Sequence, residues 1–344
     1  MKIFYAVQAT GNGHISRAGQ LLPYLRRFGK VDVFLSGSNS QLNSDLPVKY
    51  RSKGLSLFYN RAGGLRYGKI ASQLNLPKLY KEIRELPVEA YDVVINDFEA
   101  ITSLACAVKN VPSVGFGHQA SFQSSRVPRP ARKEWIGEGL LKHYARSSQY
   151  VGLHFQPYDD FIFTPVIKKE ILMAKPQNKG HITVYLSAYS DDVVLKELSK
   201  LKAFRFQVFS KERKQVETIG NVCFIPINQR LFNESIINSY GVVTGAGFET
   251  PAEVLQLGKK LMAIPIKGQY EQYCNAAALE PMGVKVLASM DGQFADHFFE
   301  WINREKPNMI NYPNIIPEAL TYLFDNYPSK GVPLDLLYSE LMIA

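Results

Sequence analysis

The chain has 344 residues, 46% of them hydrophobic and 21% charged, which is typical of a soluble globular protein with more than one hydrophobic core. Forty Lys and Arg residues against 31 Asp and Glu residues give a formal charge of +9, which favours anionic partners such as phosphates, nucleic acid or an acidic membrane surface. The lack of a dense Lys/Arg run or an aromatic-basic repeat argues against nucleic acid, and three widely spaced cysteines argue against a metal cluster or a disulfide framework.

The predicted elements alternate between short apolar strands and helices. A strand at residues 2–7 leads through a glycine turn to a helical pattern around 16–28, and residues 181–187 repeat this plan before a helical stretch near 190–202. Further strand-length runs are Val31–Leu35, Asp92–Asn96, Pro112–Phe116, Phe204–Phe209, Val222–Ile225, Gly241–Thr244 and Lys260–Ile264. Such alternation predicts an α/β protein with two Rossmann-like, doubly wound domains, each built on a parallel sheet covered on both faces.

Composition also predicts the domain boundaries. Prolines and mixed polar residues mark residues 161–180 as a linker between an N-terminal domain, residues 1–160, and a C-terminal domain, residues 181–344. The proline-rich tail holds one clear helix at 317–326, and whether the tail packs back on the N-terminal domain is left open.

The first glycine turn carries a candidate site. Gly11, Gly13 and His14 lie between the first strand and the first helix, where backbone N–H groups and the helix dipole can meet an anion. Ser16 stands where the dinucleotide fingerprint needs its third glycine, so that motif is excluded. The imidazole of His14 suits a general base or a phosphate contact, and the alternative is a solvent-facing residue at the helix start.

Two more strand ends in the N-terminal half carry polar residues. Asp97 follows a buried strand and could orient His14, contact an acceptor hydroxyl, or only cap the next helix. His118 and Gln119 follow the next strand and belong to the same predicted rim, unless they are loop residues without a function.

The C-terminal half contains a longer ordered motif. Gly245 and Gly247 form a bare loop after a strand, with Thr250 and then Glu253 in the helix that follows. After another strand come Pro265 and a polar loop with Glu271, Gln272 and Asn275. The loop N–H groups suit phosphate oxygens, while Glu253, Glu271 and Gln272 suit ribose and sugar hydroxyls. Taken singly, each of these polar residues is more often a helix-dipole or surface residue, and it is their ordered set that indicates a site.

This ordered set resembles the donor half of GT-B glycosyltransferases, especially the bacterial peptidoglycan N-acetylglucosaminyltransferase and the plant-type UDP-glycosyltransferases. The resemblance rests on Gly247, Thr250, Glu253, Pro265 and the Glu271-Gln272-x-x-Asn275-Ala276 stretch, and on Gly11, Gly13 and His14 near the N-terminus. It is specific in residues 1–20 and 240–283 and holds elsewhere only in outline.

The resemblance implies a metal-independent glycosyltransferase that uses a nucleotide sugar, with UDP expected, as a substrate and needs no cofactor. Glu253 would bind ribose, Glu271 and Gln272 the donor sugar, and Thr250 the diphosphate. His14, aided by Asp97, would remove the acceptor proton, with His118 and Gln119 near the acceptor. Gly245 replaces the diphosphate-facing histidine of the plant-type signature, which puts the UDP donor in doubt.

Two rival functions and one further partner stay open. A 2-epimerase-like enzyme would share the architecture, and a non-catalytic nucleotide-sugar-binding protein would bind the donor without turnover. The acceptor is unidentified: a glycan, a lipid-linked molecule or a small molecule. The chain opens without a secretory signal pattern, so we expect a cytoplasmic protein. The basic segments at residues 61–69 and 124–133 would hold an acidic acceptor or contact an anionic membrane surface at the periphery, unless their charges are only solvated.

Overall fold

The computed structural model describes residues 1–9, 12–37, 46–53, 75–303 and 309–327. Within these ranges the N-terminal half forms one seven-stranded parallel sheet in the order β3-β2-β1-β4-β5-β6-β7. Its strands are β1 Lys2–Gln8, β2 Lys30–Ser36, β3 Val48–Ser52, β4 Val93–Asp97, β5 Val114–Gly117, β6 Gln149–Leu153 and β7 Ile162–Phe163.

The C-terminal half forms a second seven-stranded sheet in the order β10-β11-β9-β8-β12-β13-β14, in which the β10–β11 pair is antiparallel and the other pairs are parallel. Its strands are β8 His181–Tyr185, β9 Arg205–Ser210, β10 Glu217–Ile219, β11 Val222–Pro226, β12 Gly241–Thr244, β13 Lys260–Ala263 and β14 Lys285–Val286. The predicted two doubly wound domains are therefore present.

Helices connect most of the successive strands in both halves, although none lies between β6 and β7 or between β9, β10 and β11, where every connecting residue is described. In the described residues they are α1 Asn12–Leu25, α2 Leu76–Glu85, α3 Ala100–Lys109, α4 Trp135–His143, α5 Lys169–Leu172, α6 Asp191–Leu198, α7 Gln229–Asn238, α8 Glu249–Gln256, α9 Tyr270–Leu279, α10 Phe294–Asn303 and α11 Ile316–Asp325. None of them has the length and apolar composition that crossing a lipid bilayer requires.

Local chemistry explains why β4 stops where α3 begins. All five residues of β4 are buried, as expected for a central strand covered on both faces. The side chain of Glu99 then caps α3 by accepting hydrogen bonds from the backbone N–H groups of Ile101 and Thr102, at 2.9 and 2.6 Å. Asn110, in the left-handed conformation with a φ of 55°, ends the helix.

Both sheets reverse their strand order at a central pair of strands. In the first sheet β1 lies between β2 and β4, and in the second β8 lies between β9 and β12. The loops that leave the carboxyl ends of such a pair diverge to opposite faces, which opens a crevice between them. Each half therefore has one crevice at the place where doubly wound sheets bind ligands.

The two halves share part of their hydrophobic core. One buried cluster contains both Val7 of β1 and Val242 of β12. After the second sheet the chain returns to the first half, where Phe324 of α11 stacks on Phe28 with ring centroids 4.2 Å apart. The hydroxyl of Tyr327 donates to the carbonyl of Pro112 at 2.7 Å and accepts from the backbone N–H of Val94 at 3.0 Å.

Candidate active site

The crevice of the first sheet brings His14 and Asp97 into contact. His14 lies in the first turn of α1, directly after β1, and Asp97 is the last residue of β4, paired in register with Val7. Nδ1 of His14 lies 2.8 Å from Oδ1 of Asp97. The side chain of Asp97 is fully buried, whereas that of His14 is 12% exposed, so the imidazole reaches the crevice.

Arg17, one turn after His14 on the same helix, completes this cluster. Its Nε donates to Oδ2 of Asp97 at 3.1 Å, and its Nη2 lies 2.7 and 2.9 Å from the two carboxylate oxygens. Only 2% of the Arg17 side chain is exposed. A buried carboxylate is costly unless it is paired, and here the planar guanidinium supplies the paired charge.

Electrostatic interactions keep both Asp97 and Arg17 ionised. Burial by itself opposes ionisation of Asp97, but the charges of Arg17 and His14 and their hydrogen bonds outweigh it, so the pKa of Asp97 lies below its ordinary value. Burial likewise works against the charge of Arg17, yet Asp97 and Glu249 raise the pKa of Arg17 above its ordinary value. The cluster therefore holds a carboxylate and a guanidinium at neutral pH.

Glu249, the first residue of α8, reaches this cluster from the other sheet. Nη1 of Arg17 donates to Oε1 of Glu249 at 2.5 Å. A Cβ on Gly13 would lie 2.5 Å from Oε2 of Glu249, so the absence of a side chain at position 13 lets the carboxylate approach the first turn of α1. One glycine of the predicted donor loop thus makes room for a contact between the domains.

The next strand end of the first sheet also meets the second. Nε2 of His118 lies 2.8 Å from Oδ1 of Asn275, and the side-chain amide of Gln119 lies 3.2 Å from both carboxylate oxygens of Glu271. Asn275 also donates from Nδ2 to the carbonyl of Ala246 at 3.0 Å, which holds α9 against the loop after β12. These four predicted site residues form one polar seam across the two halves.

His118 is a fully buried part of that seam. Its ring stacks on Phe248 at 4.0 Å with an interplanar angle of 5°, and its Nδ1 lies 2.9 Å from the carbonyl of Leu153. Burial lowers the pKa of His118, although Glu271 acts in the opposite direction. A buried histidine whose two ring nitrogens both contact oxygens of the protein serves the domain contact more directly than it serves proton transfer.

A second crevice lies in the C-terminal half. A cavity of about 100 Å³ opens between the loop after β8, with Ser187, and the loop after β12. Four of the predicted donor residues line this cavity: Gly245, Gly247, Thr250 and Gln272. Oε1 of Gln272 accepts from the backbone N–H of Ile266 at 2.9 Å, which fixes its amide at the cavity wall.

Glu253 lies elsewhere. It is 2% exposed and forms an ion pair with Lys168 at 3.0 Å, and Lys168 also donates to Asn233 at 3.2 Å. Burial raises the pKa of Glu253, while Lys168 partly offsets that effect. The carboxylate predicted to bind ribose therefore joins α8 to the segment between the two sheets in this structure, and it does not line the cavity.

A small recess extends the crevice of the first sheet. Asp97, Phe98, Gln119 and Tyr150 line it, and its open volume of about 10 Å³ holds roughly one water molecule. Phe98 has a φ of 55°, a left-handed conformation that is strained for a bulky residue. The recess lies beside the carboxylate that contacts His14, and its volume suits one water molecule or one hydroxyl group.

The structure thus brings some of the site residues predicted from the sequence into contact and leaves others apart. The structure brings together His14 with Asp97, and His118 and Gln119 with Asn275 and Glu271. Gly11 and residues 61–69 lie outside the described residues. Sequence reasoning missed Arg17 and Glu249; the three-residue spacing of His14 and Arg17, which puts both on one helix face, was the available signal for Arg17.

Comparison with known proteins shows the same architecture in solved glycosyltransferase structures. Arabidopsis thaliana UGT89C1 in complex with UDP is 12% identical with a TM-score of 0.58, covering 99% of this chain and 98% of that one. Acinetobacter baumannii MurG is 13% identical with a TM-score of 0.54, covering 99% of each chain. Spinosyn forosaminyltransferase SpnP is 14% identical with a TM-score of 0.52, covering all of both chains. At such identities the likeness shows the fold and confirms the predicted GT-B arrangement.

Sequence comparison gives a family as well. The model of glycosyl transferase family 1 matches residues 1–302, which is most of the chain. No curated protein matches the chain in a sequence search.

Proposed function

Because the chain belongs to glycosyl transferase family 1, and so is a glycosyltransferase, we propose that it moves a sugar from a nucleotide-sugar donor to an acceptor hydroxyl between the two domains. The observation that carries this proposal is the His14–Asp97 pair, 2.8 Å apart at the crevice of the first sheet, together with a cavity at the crevice of the second sheet that predicted donor residues line. The C-terminal domain would hold the donor and the N-terminal domain the acceptor.

The proposed reaction is a direct displacement. The acceptor hydroxyl attacks the anomeric carbon of the donor sugar while Nε2 of His14 takes the hydroxyl proton, and the bond from that carbon to the diphosphate oxygen breaks. Asp97 holds the imidazole by its Nδ1 and stabilises the imidazolium that forms. The electron pair and the negative charge leave with the nucleoside diphosphate.

The leaving diphosphate would lie at the first turn of α8. Gly245, Gly247 and Thr250 border the cavity at this helix start, where unpaired backbone N–H groups and the positive dipole end favour an anion. The transfer would thus proceed without a metal or a cofactor. Because solved neighbours carry UDP or a UDP sugar, we propose a uridine nucleotide as the donor.

A membrane contact is the further partner that we propose, in a protein of the cytoplasm. Trp135 and Ile136, at the start of α4, are 85% and 63% exposed and follow the exposed cations Arg132 and Lys133. Aromatic and aliphatic side chains beside cations favour an anionic membrane surface. Such a contact would bring the N-terminal crevice towards a lipid-linked acceptor.

A thermal-shift screen tests the donor site. Uridine, adenosine, guanosine and thymidine diphosphates and their sugars are added to the purified chain, and a ligand at about 100 times its Kd stabilises the native state by about 2.7 kcal/mol. We expect a shift with one nucleotide and its sugar. The shift should be lost in Gly245→Val, since a Cβ there already lies 3.3 Å from Oε1 of Gln272.

His14→Ala is the matched variant of this screen. It should keep the nucleotide shift and lose sugar transfer, because it removes the base and leaves the cavity intact. A wild-type chain that shifts with no nucleotide contradicts the donor site. Conversion of the sugar nucleotide without any acceptor would favour the epimerase, and binding without turnover would favour a sensor.

A further inference from the structure

Arg17 lies at the meeting point of the proposed base and the donor domain. It contacts Asp97 through three N–O distances of 3.1 Å or less and Glu249 through a fourth, and its side chain is 2% exposed. Nothing in a direct displacement requires a buried guanidinium at this place. Its contacts therefore indicate a role other than binding the reacting groups.

The contacts of Nδ1 assign the proton on His14. Nη2 of Arg17 lies 2.7 and 2.9 Å from the two oxygens of Asp97, and because the oxygens of one carboxylate lie close together, a single hydrogen of Nη2 faces both. Nη2 also lies 2.9 Å from Nδ1 of His14, but the Asp97 carboxylate that pairs with Arg17 can only accept, so the contact of Nδ1 with Oδ1 is a hydrogen bond only if Nδ1 carries a hydrogen. Nδ1 therefore carries its own proton and donates it to Oδ1 of Asp97 at 2.8 Å. In the neutral imidazole this leaves Nε2 unprotonated, as a general base requires.

That tautomer depends on Asp97 being ionised. Asp97 is fully buried, and burial alone favours the protonated carboxyl. A protonated Asp97 would donate its hydroxyl hydrogen to Nδ1, and the neutral imidazole would then carry its hydrogen on Nε2. The positive charge of Arg17 and its hydrogen bonds to the carboxylate oppose this outcome.

We propose that Arg17 is a positioning residue that keeps His14 in the base-competent tautomer by holding Asp97 ionised, and that Glu249 ties it to the donor-domain helix. The role assigned to His14 rests on the proposed function, but the tautomer does not. Arg17 itself does not touch the reacting atoms. Its effect passes through Asp97 to the imidazole.

Nitrogen NMR of the full chain with ring-labelled histidine tests this without any substrate. The His14 signals are assigned by their loss in His14→Gln, and spectra are taken at increasing alkaline pH until the ring signals no longer change. We expect hydrogen on Nδ1 in the wild type and on Nε2 in Arg17→Met. Arg17→Lys, which keeps the charge, should retain the wild-type tautomer, and Asp97→Asn, whose amide can donate to Nδ1, should show the inverted one.

Glu249→Gln is the matched control, since it removes the other carboxylate partner of Arg17 and leaves the Arg17–Asp97 pair. It should keep hydrogen on Nδ1. A wild-type chain with hydrogen on Nε2 overturns the proposal without any variant, as does a folded Arg17→Met protein with the wild-type tautomer. If Arg17→Met does not fold, Arg17→Gln carries the same comparison.

Kinetics add a second readout once a donor is known. Arg17→Met should lower kcat by about 10²- to 10⁴-fold, the usual contribution of general-base catalysis, with little change in the donor KM. Equal losses in Arg17→Lys and Arg17→Met would contradict a role through charge. Failure of every nucleotide to bind would remove the proposed function and leave the NMR result standing.

Discussion

Gly117 ends strand β5 with a φ of +140°, a conformation that residues with a Cβ rarely adopt. A Cβ at this position would lie 2.8 Å from Oδ1 of Asp97 and 3.1 Å from Nη2 of Arg17. The glycine thus provides both the turn of the backbone and the space in which the carboxylate and guanidinium pair. The ion pair and His14 depend on this one missing side chain.

Gly117→Ala tests that dependence. We expect a loss of about 1–3 kcal/mol in the free energy of unfolding, because alanine is strained at this φ and crowds the pair. Sugar transfer should fall as well, since Asp97 would move relative to His14. Chemical denaturation and a transfer assay measure the two effects.

Gly19→Ala is the control for that change. Gly19 lies in α1, and a Cβ there would have no neighbour within 4 Å. Alanine should stabilise the helix there by about 0.5–1 kcal/mol. If Gly117→Ala behaves like Gly19→Ala, the space beside Asp97 does not matter.

At the scale of residues, strand order made part of the site predictable. His14 and Asp97 follow strands that parallel doubly wound sheets place side by side, so their approach follows from the sequence pattern. The Arg17–Glu249 pair joins positions 232 residues apart, and no local pattern encodes such a contact. Glu253 was predicted to bind a ligand because its spacing from Thr250 fits the donor motif. Its burial against Lys168 depends on tertiary packing, which the spacing of residues in the sequence does not reveal.

Among the helices, α4 combines an anchored face with an exposed end. Oε2 of Glu138 accepts from the hydroxyl of Tyr270 at 3.0 Å and from Nε of Arg129 at 2.8 Å, so the helix is held against α9. Its first two residues, Trp135 and Ile136, remain exposed. The exposed apolar residues therefore lie at the start of a helix that is held in place by its other face.

Trp135→Ser should weaken binding to vesicles that contain phosphatidylglycerol. Burying a tryptophan side chain is worth about 2 kcal/mol or more, so we expect a loss of tenfold or more in partitioning, measured by co-sedimentation. Phe299→Ser, at an aromatic residue of α10 that is 48% exposed, should have no effect. Equal binding of wild type to phosphatidylcholine vesicles would refute an electrostatic contact.

At the scale of elements, central strands were easier to predict than helix ends. Every apolar run named from the sequence overlaps a strand of one of the two sheets. The helix predicted around residues 16–28 instead runs from Asn12 to Leu25, with Gly13 in its first turn and Pro23 inside it. The short, half-exposed edge strand β3 escaped prediction because it has no continuous apolar run.

Across the whole molecule, the domains meet at a buried aromatic cluster. His154 is fully buried and packs near His118 and Phe248, with ring centroids 5.0 and 6.1 Å away. Its Nδ1 accepts from the backbone N–H of Phe155, and its Nε2 has no hydrogen-bond partner in the described structure. Burial, followed by the charges of His118 and Arg129, lowers the pKa of His154 well below its ordinary value.

This burial predicts a dependence of stability on acid. Because the native state disfavours protonated His154 and His118, the unfolded chain binds more protons below its own histidine pKa of about 6.5. The free energy of unfolding should thus be highest above that pH and should fall as the pH drops below it. In His154→Phe, which keeps an aromatic ring, thermal unfolding should depend less on pH between about 6.5 and 5.

His297→Gln is the control for the acid dependence, since His297 of α10 is half-buried and is not among the rings that contact His154 in the described residues. It should follow the wild-type curve. An unaltered slope in His154→Phe would mean that this histidine is not the group that titrates on unfolding.

The two-domain architecture itself was predictable from repeated strand–helix alternation and the proline-rich segment between the two series. The closeness of the domains was not, because it rests on side chains such as Phe248 that insert into the opposite half and resemble ordinary core residues in the sequence. Patterns of two and 3.6 residues describe elements, and they carry no information on how two finished domains fit.

The return of the chain to the first sheet bears on how the protein is made. Tyr327 bonds to the backbone of Val94 and Pro112, residues synthesised more than 200 positions earlier. A ribosome must therefore synthesise and release the chain as far as Tyr327 before the N-terminal domain acquires these contacts. The N-terminal domain is therefore completed after the C-terminal domain has been synthesised. A chain that stopped after the second sheet would lack the Tyr327 contacts, and its N-terminal domain would be exposed to chaperones and proteases.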